Sequence, residues 1–421
     1  MKKKEFIYNN IPVTILKTNK FKTVVGTLYF KEPIKEEMIT TRRLLRNLIM
    51  HSCKKFPTSK DLNINVLENY NSDYSAATIR EGNYIINSFS FRILEDKYTK
   101  KGNFLNGLDT FKEIIFNPNI DNDEFNKEEF SLLYQTLKSE IESMIENPRN
   151  YAIDNLMKQL GKGTVVSYAP NLKELKKINS KSIYKEYLDM MKNSEKEFVL
   201  AGNITDEILD GCKKILDNLN QKSYNIPLIV TNDCIDNEIK NKIKKYDGKQ
   251  SILTLGLKLA DLTIFERLYV LPVYNGILGG GASSRLFNTI REKNSLAYFC
   301  FSRYEKDDSL IIIVSGIEES NYRKTYNLMK KVLESMKKIS DDEIKRVKEE
   351  IISSLKESKD YLQSYPNNLY FNKLYDIDSN EEIIKNIKLV NKEDIEKIYY
   401  KLFLTNSYFL KGVKTDGKNK N

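Results

Sequence analysis

The chain repeats itself at half its length, and this constrains the fold more than any single motif does. Ile178-Asn179, followed by Ile183 and Tyr187, recurs 212 residues later as Val390-Asn391, followed by Ile395 and Tyr399. Leu172 and Leu175 map onto Ile384 and Ile387 at the same offset. Each copy then enters a β-like stretch ending in glycine, Phe198-Val199-Leu200-Ala201-Gly202 and Tyr408-Phe409-Leu410-Lys411-Gly412. Upstream, Asp123-Glu124-Phe125 leads to Asn147-Pro148-Arg149-Asn150, and Asp342-Glu343-Ile344 leads to Tyr365-Pro366-Asn367-Asn368. Shared order and offsets between 210 and 219 residues in a chain of 421 predict two homologous domains, 1–216 and 226–421. The polar stretch from Asp217 to Asn225 reads as the linker.

Within each half the hydrophobic period changes from strand to helix and back without strict βαβ alternation. This predicts an α+β fold in which each domain is a mostly antiparallel sheet covered by helices. In the first half, strands are expected at 13–16 and 24–30, helices at 41–50 and 59–68, and a hairpin at 74–93. In the second half a strand at 251–258 precedes an apolar helix at 265–278, with a kink at Pro272. After the Gly279-Gly280-Gly281 break, Ser283 or Ser284 is placed to cap a helix running through Ile290. A hairpin with strands at 298–304 and 310–316 turns around Lys306-Asp307-Asp308. Ser340 with Glu343 forms a capping box, and Asn391 caps the last helix.

Composition excludes several classes. The 40% hydrophobic content, with 26 Tyr and 19 Phe, supplies a core, while mean hydropathy of −0.50 and 30% charged residues require selective burial. The net charge of +10 comes from lysines interleaved with Glu and Asp, as in Lys345 to Glu350. No basic block with interleaved aromatics appears, so no nucleic-acid partner is expected. No apolar run approaches the roughly 18 residues of a membrane span, and no signal-peptide core follows the N-terminal lysines. The expectation is a cytoplasmic protein with no membrane contact. Cys53, Cys212, Cys234 and Cys300 are scattered, as suits reduced, buried thiols. His51 is the single histidine, whereas zinc hydrolases draw two or three ligands from His. No metal site and no cofactor are expected in this chain.

The triple glycine lacks the Gly-Lys-Ser/Thr ending of a phosphate loop. Standing alone, it reads as a turn that needs positive φ. Its context is more specific. The run Leu278-Gly-Gly-Gly-Ala-Ser-Ser-Arg-Leu-Phe-Asn-Thr-Ile-Arg-Glu-Lys-Asn-Ser-Leu-Ala-Tyr298 resembles the second-domain signature of the insulinase/pitrilysin metallopeptidases, which include mitochondrial processing peptidase. That resemblance implies that Arg291 and Tyr298 reach toward substrate at a zinc site. It also implies that Gly279, Gly280, Gly281 and Ser284 bind substrate.

The same resemblance calls for His-x-x-Glu-His in the first half. Alignment through Lys54-Lys55-Phe56-Pro57 puts that motif at Arg43-Leu44-Leu45-Arg46-Asn47, so Arg43, Arg46 and Asn47 stand where the ligands and base would be. Two guanidiniums repel a dication. The family's remaining ligand falls at Glu140, expected to be solvated or Arg-paired, and His51 is expected to be structural or exposed.

The reading that follows is a pseudo-protease subunit that supplies Arg291 and Tyr298 in trans to a homologous, zinc-bearing partner, the two enclosing a peptide substrate. Within the family, length and the lost motif look most like the bacterial elongation-factor-P aminopentanol-modification-associated members, with subunits of peptide-antibiotic maturation proteases as an alternative. From another class, a scaffold subunit without a role in chemistry is the alternative. A basic RNA-binding protein lacks any recognisable module.

Overall fold

Near-continuous burial along Ile11–Lys17, Thr23–Pro33, Tyr84–Leu94 and Glu195–Gly202 marks strands covered on both faces, and these build the centre of the first sheet. The computed structural model describes residues 2–230 and 238–413. These form two compact units, the first from residues 2–142, 169–228 and 357–379, the second from the described residues of 143–168, 229–356 and 380–413.

In the first unit, β1 (Lys2–Tyr8), β2 (Ile11–Lys17), β3 (Thr23–Pro33), β4 (Asp73–Glu81) and β5 (Tyr84–Leu94) are joined by β8 (Glu195–Gly202). A short ladder of β6 (Ile120–Asp121) with β7 (Glu124–Phe125) lies apart. The sheet order is β1-β2-β8-β3-β5-β4. Every neighbouring pair is antiparallel except β2 with β8. The β1–β2 turn places Asn9 and Asn10 at φ 49° and 63°, the left-handed pair that a two-residue hairpin loop requires and asparagine tolerates. Val24, Leu28 and Phe30 of β3 pack with Phe89 and Phe91 of β5 against Leu44, Leu45 and Leu48 of the helix Glu36–His51. Each such buried side chain contributes about 1.5–3 kcal/mol.

The opposite face of this sheet is closed by the helix Ser364–Lys373. Tyr29 stacks on Tyr370 with ring centroids 3.7 Å apart, and its hydroxyl donates to Asn367 Oδ1 at 2.7 Å. Arg42, fully buried, is held by Glu32 at 3.0 Å, by Glu186 at 2.9 Å and by Asp189 at 3.5 Å. Such a cluster is tolerable only because each charge has partners.

The second unit contains β9 (Lys240–Asp247), β10 (Ser251–Leu259), β11 (Ala297–Glu305), β12 (Leu310–Ile317) and β13 (Leu402–Val413), in the order β11-β12-β10-β13-β9. Only β13 with β9 is parallel. Read from β9, the series reproduces β2-β8-β3-β5-β4 strand for strand. Its second face is closed by the helix Pro148–Leu160, whose Ile153, Leu156 and Leu160 pack on Ile312, Val314, Tyr408 and Leu410.

The α+β architecture with helix-covered sheets is therefore the one expected. Asn179 and Asn391 each cap a helix through a reciprocal capping box, and the two helices lead into β8 and β13, each of which has one parallel and one antiparallel neighbour. The Ser340–Glu343 box forms as well. The compact units do not coincide with the chain halves, however, because 143–168 and 357–379 each belong to the unit of the other half. The segment 217–225 is also no free connection. The Gln221 side chain pairs with both backbone groups of Lys196, and Lys196 Nζ donates to Asn220 O at 2.7 Å.

Two local expectations need correction. The irregularity expected at Pro272 lies one turn earlier, where Glu266–Val270 is a π-helical turn and the Leu271 N–H reaches back to Glu266 O. This wider register accommodates the ring without a break, since Pro272 then sits in the first turn of Leu271–Leu278. Neither Ser283 nor Ser284 caps the next helix. Ser284 is fully buried with its hydroxyl lacking a hydrogen bond, and Ser283 Oγ is turned to Glu350 at 3.3 Å.

Candidate functional site

Arg291 and Tyr298 come together in one open cleft of about 440 Å³ on the second unit. The helix after the glycine loop ends in a π-helical turn, Phe287–Glu292, which carries Arg291. Ser295 then takes φ 49° and turns the chain into β11. The ladder of β11 with β12 slips between Ala297 and Phe299, so Tyr298 is the unpaired residue of a bulge. A bulge bends the strand and redirects the extra side chain. Tyr298 is consequently 62% exposed. Its hydroxyl has no protein hydrogen-bond partner among the described residues. The Arg291 guanidinium lies 4.9 Å from the Phe287 ring centroid and 3.9 Å from Glu292, with about half its side chain in solvent.

Glu318 and Asn321 complete the cleft wall together with Glu292 and Ser295. The sequence reading did not single out Glu318 or Asn321. The hairpin register could have found them, since Ala297 faces Ile317 and the residues just past β12 must lie beside Tyr298.

Gly279, Gly280, Gly281 and Ser284 do not line this cleft. None of the three glycines needs positive φ. Gly279 is required for a close approach instead. A Cβ there would meet Ser302 N and Oγ at 2.5 Å, where the Ser302 N–H donates to Gly279 O at 2.9 Å. At Gly281 nothing lies within 4 Å. The following Arg285 serves the fold. It grips both Glu343 oxygens at 2.7 Å and donates to the backbone carbonyls of Ser335 and Lys338. Those bonds, with the Ser340 cap, hold the Glu343 carboxyl down at about 2.

On the first unit, Arg43, Arg46 and Asn47 occupy consecutive turns of the helix Glu36–His51. Arg43 Nη2 pairs with Glu140 Oε2 at 2.8 Å. Among the described residues Arg46 donates only to Asn47 Oδ1, from Nε at 3.2 Å and Nη2 at 2.8 Å. The structure thus gathers all four of these positions. His51 is half-buried in the last turn of the same helix. Cys53, Cys212 and Cys300 are buried and free, with burial pushing the Cys300 thiol up to about 12; Cys234 lies outside the described residues.

Comparison with known proteins places this geometry. Residues 177–351 match the family model described as the peptidase M16 inactive domain. The chain is 27% identical over 415 residues, 96% of each chain, to the probable inactive metalloprotease YmfF of Bacillus subtilis. It is 26% identical over 322 residues, 74% of this chain and 75% of the relative, to the uncharacterized zinc protease YmxG of the same organism. Among solved structures, a conserved protein of Enterococcus faecalis V583 superposes with TM-score 0.90 at 24% identity, covering 99% of this chain and all of that one. A peptidase M16 inactive domain from Pseudomonas fluorescens gives 0.80 at 14%, with the same coverage.

The inactive-domain description agrees with the insulinase-like resemblance of the second half. The residues at 43–47 of the first unit do not fit zinc. Zinc needs neutral imidazoles, thiolates or carboxylates. Here the single carboxylate, Glu140, is already paired to a guanidinium, and Arg46 adds a second positive charge. Among the described residues no group of three or more His, Cys, Asp or Glu could hold a metal, and no helix is long and apolar enough to cross a membrane.

Proposed function

We propose that this chain is the non-catalytic subunit of a two-chain, zinc-dependent insulinase-type protease, supplying Arg291 and Tyr298 to a homologous, zinc-bearing partner for peptide-bond hydrolysis. The observation that carries this reading is the bulge at Tyr298, which turns an otherwise unengaged phenol into the cleft that also holds Arg291. A peptide carbonyl under attack develops an oxyanion, and a phenol and a guanidinium are the donors that stabilise it. Tyr298 is presented for a single hydrogen bond from its Oη, and Arg291 for a charge-assisted one. The partner's zinc supplies the activated water. Relatives described as a probable inactive metalloprotease and as a zinc protease support the two-chain division of labour. The homologous halves are 1–216 and 226–421, the protein works in the cytoplasm, and within the family it belongs with the elongation-factor-P aminopentanol-modification-associated members.

A scaffold subunit without a role in chemistry is the second reading. It is favoured by Arg285, a residue of the same signature that is wholly engaged in holding the fold. Kinetics with a zinc-bearing homologous partner separate the two. Tyr298→Phe and Arg291→Ala are expected to lower kcat about tenfold to a thousandfold each while co-elution of the two chains is unchanged. Full turnover by Tyr298→Phe in a well-formed complex selects the scaffold.

A further inference from the structure

We propose that the Arg43–Arg46 pair, with Asn47, is a carboxylate-binding site on the first unit, suited to the C-terminal carboxylate of a peptide. Arg43 and Arg46 project from one face of the helix Glu36–His51, three residues apart and therefore neighbours on its surface. Arg43 is ion-paired with Glu140, whereas Arg46 has no ion pair among the described residues. Lys138 and Glu142, the adjacent charges on the Glu140 helix, face each other at 4.0 Å and cancel.

The donors are only partly used. Glu140 engages Arg43 through one nitrogen, and its carboxyl remains about half exposed, which leaves the rest of that guanidinium fork open. Arg46 is half-buried, yet its sole acceptor among the described residues is the neutral amide oxygen of Asn47. Its Nη1 and the Asn47 Nδ2 have no acceptor among the described residues. Burial, and next the neighbouring Arg43 charge, push the Arg46 guanidinium down from its ordinary range, and an anion beside it relieves both. A planar guanidinium fork fits a planar carboxylate bidentately, and the bond that Glu140 makes to Arg43 is this same chemistry within the chain. The Asn47 amide adds a directional donor from the following residue. A dication is repelled by this arrangement, and an anion is drawn to it.

The test uses the full chain alone, so its outcome is independent of any partner and of the roles given to Arg291 and Tyr298. A fluorescein-labelled alanine-rich peptide is titrated as the free acid and as the C-terminal amide, with fluorescence anisotropy as readout. The acid is expected to bind about tenfold more tightly than the amide, the worth of one charge-assisted pair. Arg46→Gln is expected to erase that preference while leaving the thermal unfolding midpoint close to that of the unaltered chain. If the two peptides bind alike but sodium acetate raises the unfolding midpoint of the unaltered chain and not of Arg46→Gln, the site takes a small free carboxylate. If inorganic phosphate produces such a shift and acetate does not, the carboxylate assignment is overturned. Equal responses of both proteins to peptide, acetate and phosphate overturn the site altogether.

Discussion

Replacing Arg285 with Met removes the partner of Glu343 while keeping most of the side-chain volume. The Glu343 carboxyl sits at about 2 in the folded protein, chiefly through the Arg285 hydrogen bonds. In the unfolded chain it titrates near 4.3, so the shift corresponds to about 3 kcal/mol of stability at neutral pH. Both side chains retain some solvent contact, at 18% and 19% exposure, and screening reduces the expected loss for Arg285→Met to about 2 kcal/mol. The sign follows from the direction of the shift. A carboxyl held down in the folded state contributes fully above the unfolded value of about 4.3, and the contribution fades as pH falls toward 2, with roughly half gone by pH 3. Urea unfolding of both proteins at pH 7 and at pH 3 measures this. The difference between them is expected to shrink by about half at the lower pH. A loss of equal size at both pH values would refute the electrostatic account and leave packing as the cause.

Gly279→Ala drives a Cβ into the Ser302 backbone and is expected to cost about 1–3 kcal/mol in chemical denaturation, whereas Gly281→Ala should stay within about 0.5 kcal/mol of the unaltered chain. Equal effects would remove close approach as the reason for the first glycine. Arg42→Ala strands the buried Glu32 carboxylate and is expected to cost about 3–5 kcal/mol, read from the same denaturation curves. Burial brings the Lys196 ammonium down to about 8, so the unfolded chain, near 10.4, holds that proton more tightly and stability rises as pH climbs between the two. In Lys196→Met that rise should disappear; a slope identical to that of the unaltered chain contradicts the assignment.

Local chemistry was the legible part of this sequence. Capping residues announce themselves because a side-chain oxygen and a backbone N–H three residues on are near in any helix start, and Ser340 and Asn391 both behave accordingly. The β4–β5 and β11–β12 hairpins depend on short-range register and were visible for the same reason, whereas Arg291 and Tyr298 were singled out through the family resemblance and not through register. What escaped depends on partners distant in sequence. Apolar positions show that Pro148–Leu160 and Ser364–Lys373 must bury a face, yet nothing in a period of 3.6 says which sheet receives it. The repeat paired Pro148 with Pro366, each of which lies near the start of a helix, without indicating the exchange. Ser284 carries the side chain of a cap, but its burial removes it from that role. The bulge at Tyr298 is a one-residue mismatch between strands and leaves no signature in composition.

The exchange of those two helices bears on how such a chain can arise and fold. The polypeptide passes between units after Glu142, Tyr168, Leu228, Lys356 and Ser379. A cut at the midpoint therefore yields two fragments that each lack a helix for their own sheet, leaving Tyr29, Ile86 and Val199 bare in one and Ile312, Val314 and Tyr408 bare in the other. A half-length ancestor with one sheet and one such helix could have covered both only by trading helices with a second copy of itself, as a swapped dimer does. Joining the copies end to end turns that trade into an intramolecular event, independent of protein concentration. As the chain stands, each half of the sequence supplies a helix to the core built mainly by the other, so neither core is complete until both halves have been made.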